Sequence, residues 1–382
     1  MLPSLVGSVL VSSLLVTPAV GGKGSDPSPR APLFRAVDLG VLPGWTSGQA
    51  YDVNDQRQVC GVLFDEDAIG VAFVWLPRPA HGLPAGMSEL GMLPLGGVEA
   101  STASAINDCG QIVGTSYGYA GLDTRTRAFV WQDGELRDLG AFPDSPNGNS
   151  TAAAIDQRGN IVGSSTLARG SGFTSHALAT RVVCGDRGQG ELVDLGDLDG
   201  FGSTAVALNA RGDIVGSSYY FYTPALFGAR AILRDSRGRR LQELPMPTGA
   251  ISCEAKALSD QGLVAGSCAF LGESSQHLVL WRRIRADWSS EDLGAVPGAQ
   301  SCVPTAVDET GRVFGWSLAH GATEARAFAW IDGRFHQLDD LILTDEPVRI
   351  TYTGGINRRG DLAAGGTNAR GETRAFLLMR LR

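Results

Sequence analysis

The sequence predicts an all-β protein, a closed seven-bladed β-propeller of four-stranded antiparallel blades. Three observations predict it: one motif recurs seven times, each recurrence holds four short strand patterns, and the two chain ends supply complementary parts of one repeat. Periods of this length are typical of propellers and solenoids. Abundant glycine, 51 of 382 residues, fits the many turns that such a fold requires.

The repeat is clearest from Ala105 to Gly114, which reads AINDCGQIVG. Its seven copies recur at a mean spacing of about 50 residues. They centre on the apolar positions Val53, Ile106, Ile155, Leu208, Leu258, Val307 and Ile356.

Each copy contains a turn between its first and second strands. The central apolar residue is followed by Asn, Asp or Ser and, three residues later, by Gly, for which only the first copy substitutes Arg57. An Asx or Ser side chain that bonds its own backbone, followed by Gly at positive φ, is typical of a tight hairpin with a bulge. A second Gly follows in the second strand, and the last copy has Ala364 there.

The third and fourth strands follow in every copy. The third resembles Ala128-Phe129-Val130-Trp131, and the fourth ends as in Asp138-Leu139-Gly140. A four-stranded meander cannot bury both faces alone, so neighbouring sheets must stack, and stacking around an axis makes a propeller.

The chain ends predict that this ring is closed. A fourth-type strand begins the repeat region at 34–39, and a third-type strand ends it at 374–378. The N-terminal strand would therefore complete the last blade and remove the exposed edges of an open array.

The ordered motif Asp-Leu-Gly, Ala-x-x-Ile-Asn-x-x-Gly-x-Ile-Val-Gly and Ala-Phe-x-Trp resembles the bacterial extracellular HAF-repeat proteins over essentially all of residues 34–382. The resemblance implies an exported, propeller-like repeat protein and supplies no catalytic residues. The sequence departs from the pattern at Val71, His176 and His277, in or near a slot that is Arg in other copies, and at Ile232 and Val279 in place of Phe.

The N-terminus predicts export. An apolar run from Leu5 to Val16 is followed by small residues, as in a signal peptide, although no Lys or Arg precedes it. We therefore divide the chain into a signal peptide (1–22), a linker (23–33) and the propeller (34–382), and we expect a secreted or periplasmic protein without a transmembrane segment.

Composition limits the partners. The net charge is −8 and the arginines are scattered, which argues against nucleic acid. We expect a monomer that needs no cofactor. The five histidines form no metal-ligand spacing, so we expect no metal site, and those at 176 and 277 occupy a repeat position that is structural by default.

Six cysteines suit an oxidising compartment in part. Cys253 and Cys268 flank one hairpin: a plain register places them opposite each other and permits a disulfide, whereas a bulged register puts them on opposite faces. Both alternatives stay open. Cys60 and Cys109 replace ordinary repeat residues, and we expect them to be unpaired.

Aromatic residues give the candidate ligand site. Tyr219, Tyr220, Phe221 and Tyr222 are consecutive between the second and third strands of the fourth repeat. That connection shares a face of the ring with the loops between blades, around the channel mouth. The alternative is that these rings pack over the neighbouring blade. Tyr117, Tyr119 and Asp123 form a weaker companion in the second repeat.

Two functions follow from this pattern. The first is a binding or interaction scaffold without catalysis, whose ligand is a carbohydrate or a partner protein, because flat apolar surfaces bind both. The second is a secreted glycan-active lyase or hydrolase at the channel mouth. Such a site would draw single residues from several blades and leave no sequence motif.

Overall fold

A computed structural model gives the structure of residues 31–121, 123–169, 172–188, 190–198, 201–223, 226–236, 240–285 and 287–381. The predicted signal peptide and most of the predicted linker lie outside these ranges. The predicted fold is confirmed: the described residues form seven antiparallel sheets, and the single helical element is a short 3-10 turn. No helix in these ranges is long and apolar enough to span a bilayer.

The first six blades each contain four strands in chain order, numbered from the axis outward. Blade 1 contains β2 (Ser47–Val53), β3 (Val59–Phe64), β4 (Gly70–Leu76) and β5 (Gly86–Gly91). Blade 2 contains β6 (Val98–Ile106), β7 (Ile112–Ala120), β8 (Asp123–Gln132) and β9 (Glu135–Gly140). Blade 3 contains β10 (Ser150–Ile155), β11 (Asn160–Arg169), β12 (Gly172–Arg181) and β13 (Val193–Gly196). Blade 4 contains β14 (Ser203–Leu208), β15 (Ile214–Thr223), β16 (Leu226–Arg234) and β17 (Gln242–Glu243). Blade 5 contains β18 (Ala250–Leu258), β19 (Val264–Phe270), β20 (Gln276–Ile284) and β21 (Asp287–Ala295). Blade 6 contains β22 (Ala299–Val307), β23 (Val313–Ala319), β24 (Arg326–Ile331) and β25 (Arg334–Gln337).

Blade 7 joins the two ends of the chain, as predicted. It consists of β27 (Arg349–Ile356), β28 (Leu362–Thr367), β29 (Thr373–Arg380) and the N-terminal strand β1 (Phe34–Asp38), which pairs antiparallel to β29. After a 3-10 turn (Leu338–Leu341), β26 (Ile342–Leu343) pairs parallel to β1 and covers its outer edge. This extra strand protects an edge that would otherwise offer unpaired backbone groups.

The hydrophobic core lies between the blades. The described residues form seven buried clusters, each shared by two neighbouring blades, and the seventh joins blade 7 to blade 1. Each sheet therefore buries its faces only because the next sheet covers them, as expected for stacked repeats.

The turns between first and second strands hold the ring together. In blade 1, the Asn54 side-chain oxygen accepts hydrogen bonds from the backbone N–H groups of Gln56 and Gln58, which forms the predicted Asx turn. The Asn54 amide nitrogen donates to the Asn107 carbonyl oxygen of blade 2, 2.9 Å away. Equivalent bonds run from Asn107 to blade 3 and from Asn357 back to blade 1, so the repeat residue closes its own turn and joins its blade to the next.

The second repeat Gly is required by a close approach of two strands. A Cβ on Gly114 would lie 2.0 Å from the carbonyl oxygen of Thr102 at the bulge in the first strand. Blade 7 tolerates Ala364 here because its bulge differs: Thr353 pairs with Ala364, Ile356 pairs with Leu362, and Gly354 and Gly355 lie between.

Two disulfides are present. Cys253 and Cys268 are directly opposite and bonded, which decides the alternative left open by the sequence. Leu258 pairs with Val264, one residue beyond the plain register, but a bulge between Ala255 and Ala257 brings the cysteines back into alignment. The second disulfide corrects a prediction: Cys109 is not free but bonds Cys184, in the connection between the third and fourth strands of blade 3. The bond crosses a blade interface, which spacing within one repeat could not show.

Candidate functional site

The basic slot of the repeat has a structural role. In several blades its side chain on the third strand contacts the acidic residue of the Asp-Leu-Gly motif on the fourth. The imidazole nitrogens of His176 and His277 lie 3.0 Å from the carboxylates of Asp194 and Asp292. Each of these carboxylates also accepts a backbone N–H two residues later in the chain, as in an Asx turn. Histidine here replaces Arg in a recurring contact between the basic slot and an acidic side chain.

The aromatic segment of blade 4 differs from its prediction. Tyr219, Tyr220, Phe221 and Tyr222 do not form a loop, because β15 continues through Thr223 and pairs with β16 up to Leu226. Tyr, Phe and Thr favour extended structure, so the hairpin grows outward instead of opening into a connection. The side chain of Tyr222 lies outside the described part of the structure.

Within this hairpin, Tyr220 is a packing residue. Its hydroxyl donates a hydrogen bond to the carbonyl oxygen of Ile251 in the first strand of blade 5. The Arg230 guanidinium lies 4.6 Å from the centre of its ring. For this ring, the structure favours the alternative that the aromatic segment packs over the neighbouring blade.

Phe221 is exposed to 53 % and contacts Phe201 edge to face, with ring centres 5.0 Å apart. Phe201 belongs to the connection between blades 3 and 4 and is itself 48 % exposed. This pair, which we call the phenylalanine pair, forms an apolar surface at the blade 3–4 junction.

The companion residues of blade 2 also lie on a strand and not in a loop. Tyr117 and Tyr119 belong to β7, are half-buried, and stack with parallel rings 6.1 Å apart. Asp123 begins β8 and pairs with Ala120, and its side chain is outside the described part of the structure. Because Tyr117 and Tyr119 pair with Ala100 and Val98, at the start of the innermost strand, they lie at the rim facing the connections between blades.

Two further tyrosines lie on the innermost strands of blades 1 and 7. Tyr51 in β2 of blade 1 and Tyr352 in β27 of blade 7 contact edge to face, with ring centres 5.4 Å apart. The Tyr51 hydroxyl donates a hydrogen bond to the side-chain oxygen of Gln49, 3.2 Å away and nearer the rim. Tyr117 lies close enough to Tyr51 to influence its pKa. We therefore group the two ring pairs, from blades 2, 1 and 7, as the tyrosine row: Tyr119, Tyr117, Tyr51 and Tyr352.

Burial raises the pKa of two tyrosines of this row, Tyr51 and Tyr352. Burial, followed by the neighbouring Tyr117, raises the pKa of Tyr51 to about 12. Burial raises the pKa of Tyr352 further, and the nearby Tyr51 and Asp52 add to the increase. Tyr51 and Tyr352 are therefore uncharged at physiological pH, and neutral hydroxyls beside ring faces suit an uncharged, hydroxylated ligand.

Asp52 lies directly behind the row. Its two carboxylate oxygens accept hydrogen bonds from the backbone N–H groups of Val53 (2.9 Å) and of Ile106 in the next blade (3.0 Å). Burial nevertheless raises its pKa to about 7, because it outweighs these two bonds. The Cys60 thiol is unpaired nearby, and burial raises its pKa well above the usual value.

The opposite mouth of the channel has a different character. Arg358 of blade 7 extends over it and contacts the carboxylates of Asp55 and Asp108, 2.7 and 2.8 Å away. The backbone N–H of Asp55 also donates to Asp108, and that of Arg358 donates to Asp55. These acids join neighbouring blades, so the aromatic mouth is the better candidate for a ligand.

Sequence reasoning named Tyr117 and Tyr119 as candidates but did not name Tyr51, Tyr352 or Asp52. One signal was available for Asp52. The position before the central apolar residue is Ala in five repeats, Gly355 in the last and Asp52 in the first.

Comparisons with known proteins agree with the fold. No protein family model matches the sequence, and no curated protein matches it significantly. The β-propeller domain of the Trilobed protease from Pyrococcus furiosus is similar in structure, with a TM-score of 0.54 and 11 % identity over 88 % of this chain and 94 % of that one. Oligogalacturonate lyase from Vibrio parahaemolyticus gives a TM-score of 0.55 at 9 % identity, over 90 % and 93 % of the two chains. Acylaminoacyl peptidase from Pyrococcus horikoshii gives a TM-score of 0.53 at 9 % identity, over 88 % of this chain and 52 % of that one. At such identities the likeness shows the propeller fold alone.

Proposed function

We propose that this protein is an exported carbohydrate-binding propeller of the HAF-repeat type, which holds a sugar chain at the aromatic channel mouth without cleaving it. The tyrosine row carries this proposal. It consists of two ring pairs from three blades, and ring faces with hydroxyl groups match the apolar faces and hydroxyl groups of a sugar. Two disulfides accord with export to an oxidising compartment.

Titration calorimetry with neutral hexasaccharides of glucose and xylose, and with hexagalacturonate, tests the proposal on the full chain. We expect Tyr119→Ala to weaken binding of the preferred oligosaccharide by about tenfold or more, as for an aromatic residue in direct contact with the ligand. The matched control is Phe221→Ala, which removes an exposed ring of the phenylalanine pair and should leave the affinity unchanged.

Two results would contradict the proposal. Loss of binding in Phe221→Ala with normal binding in Tyr119→Ala would move the site to the blade 4 hairpin. Failure of the wild-type protein to bind any oligosaccharide of the panel would leave a partner protein as the ligand of the scaffold.

One observation supports the alternative, a glycan-active lyase or hydrolase. A carboxyl with a pKa of about 7, such as Asp52, is suited to exchange protons near neutral pH. Both Asp52 oxygens already accept backbone hydrogen bonds, however, which favours binding without turnover. Release of shorter products from the bound oligosaccharide, abolished in Asp52→Asn, would establish the enzyme.

A further inference from the structure

The channel wall of blade 5 carries a charged pair. The Lys256 ammonium lies 3.1 Å from the Glu254 carboxylate, and both side chains are about 30 % exposed (29 % and 30 %). They occupy half-buried positions of the innermost strand β18, between the buried residues Cys253, Ala255 and Ala257. The chain has one other lysine, Lys23, which lies outside the described residues.

This pair breaks the repeat at a defined height in the channel. Counted from the central apolar residue, Glu254 and Lys256 correspond to Gln49 and Tyr51 of blade 1, which are also bonded to each other. The same two positions in the remaining blades carry only uncharged residues: Thr102 and Ser104, Thr151 and Ala153, Thr204 and Val206, Val303 and Thr305, Tyr352 and Gly354. The charged pair therefore lies across the axis from the inner end of the tyrosine row.

Stability gives no reason for this exception. A partly exposed ion pair contributes little, and fixing two long side chains costs rotamer entropy. Ala, Val, Ser or Thr fills these positions in most blades, so the scaffold does not need a charge there. The polar groups themselves offer a better explanation: after pairing, the ammonium retains free donor capacity and the carboxylate retains acceptor capacity.

We propose, building on the carbohydrate-binding function above, that Glu254 and Lys256 form a hydroxyl-recognition subsite for a neutral sugar. One hydroxyl donates to Glu254, and the adjacent hydroxyl accepts from Lys256. Neighbouring hydroxyl oxygens of a sugar ring are about one hydrogen-bond length apart, as are the two charged groups of the pair. The sugar ring is then held between this pair and the tyrosine row.

The charges favour a neutral ligand over an acidic one. The pair has no net charge, so a ligand carboxylate would compete with Glu254 for Lys256. The chain as a whole carries a net charge of −8, which repels polyanions. The structure thus assigns a neutral, vicinally hydroxylated saccharide to this site.

The test uses Glu254→Gln, Lys256→Met and the double variant, with the hexasaccharide panel and titration calorimetry at low and high salt. We expect each single variant to lower the affinity for the preferred neutral oligosaccharide by about tenfold, because charge-assisted hydrogen bonds are lost. The double variant should bind only slightly less well than either single variant, and wild-type affinity should not depend on salt.

Three kinds of result would overturn the assignment of a neutral saccharide to the Glu254–Lys256 pair. Tighter binding of hexagalacturonate in Glu254→Gln, together with a steep loss of wild-type affinity at high salt, would show an anionic ligand. Unchanged affinity in both single variants would show a structural pair while leaving the carbohydrate-binding proposal intact, provided that Tyr119→Ala still weakens binding. Absence of any binding by the wild-type protein would overturn both proposals. Urea unfolding of each variant confirms that the fold is retained.

Discussion

The raised pKa of Asp52 predicts a specific pH dependence of stability. In the unfolded chain this carboxyl titrates near its ordinary pKa of 3.8, and in the folded protein its pKa is about 7. Because the folded state holds the proton more tightly, Asp52 contributes its full stabilisation below pH 4 and loses it as the pH rises through 7. A difference of about three pK units corresponds to a loss of roughly 4 kcal/mol in the free energy of unfolding.

Replacement by Ala, the residue of five other repeats, isolates this contribution. Urea unfolding followed by tryptophan fluorescence gives the free energy of unfolding of wild type and Asp52→Ala at each pH. Their difference cancels all other titrating groups. We expect wild type minus variant to fall by up to about 4 kcal/mol between pH 4 and pH 8 and then to level off.

Asp52→Asn is the second variant for this test, since it preserves the size of the side chain but cannot titrate. It should remove the same pH dependence. A wild-type minus Asp52→Ala difference that stays constant from pH 4 to pH 8 would refute the reasoning, because it would mean that Asp52 titrates alike in the folded and unfolded chains.

Three further predictions concern the scaffold. Arg57→Gly should relieve a positive φ of 62° but remove the guanidinium bound to the buried carboxylate of Asp361, so we expect a net loss of about 2 kcal/mol in the free energy of urea unfolding. Adding Asp361→Asn to this variant should recover part of the lost stability. No recovery would contradict the ion-pair explanation. Replacing both Cys253 and Cys268 by Ala removes a cross-link between residues 15 positions apart and should lower the free energy of unfolding by roughly 3 kcal/mol. Unchanged stability, or free thiols at both positions in peptide mapping of the wild type, would argue against the disulfide. Gly114→Ala places a methyl group against a backbone carbonyl and should cost about 3 kcal/mol in chemical denaturation, and a variant as stable as wild type would contradict the close approach.

The fold could be predicted because its causes are local and repeated. The Asx turn, the Gly after it and the alternating apolar residues act within about ten residues, so seven copies reinforce one interpretation. Closure also followed from the sequence, since the strand at Phe34–Asp38 completes a repeat unit that ends at Arg380.

The site could be predicted only in part because its residues meet through closure of the ring. Tyr51 and Tyr352 are some 300 residues apart in the chain, and only the contact between blades 1 and 7 brings their rings together. The Cys109–Cys184 bond was missed for a similar reason, since it joins different strand connections of two blades. The extended hairpin of β15 was missed because a run of aromatic residues fits both an exposed loop and a long strand.

The departures from the repeat at the junction of blades 7 and 1 depend on one another. A Cβ on Gly354 would lie 2.1 Å from the carbonyl oxygen of Tyr51, and one on Gly355 would lie 2.0 Å from Asp52 Oδ1. Five other blades place Ala at the position of Gly355. In each of these five cases the following blade has Ala or Gly at the position where blade 1, which follows blade 7, has Asp52. The two glycines of blade 7 thus make the space that Tyr51 and Asp52 of blade 1 occupy. A scaffold that needed only sevenfold stacking would retain Ala at the position that Gly355 and Asp52 occupy in their blades. The paired changes make room for Tyr51 and Asp52 at the junction where the ring closes, and this asymmetry supports the proposed ligand site there.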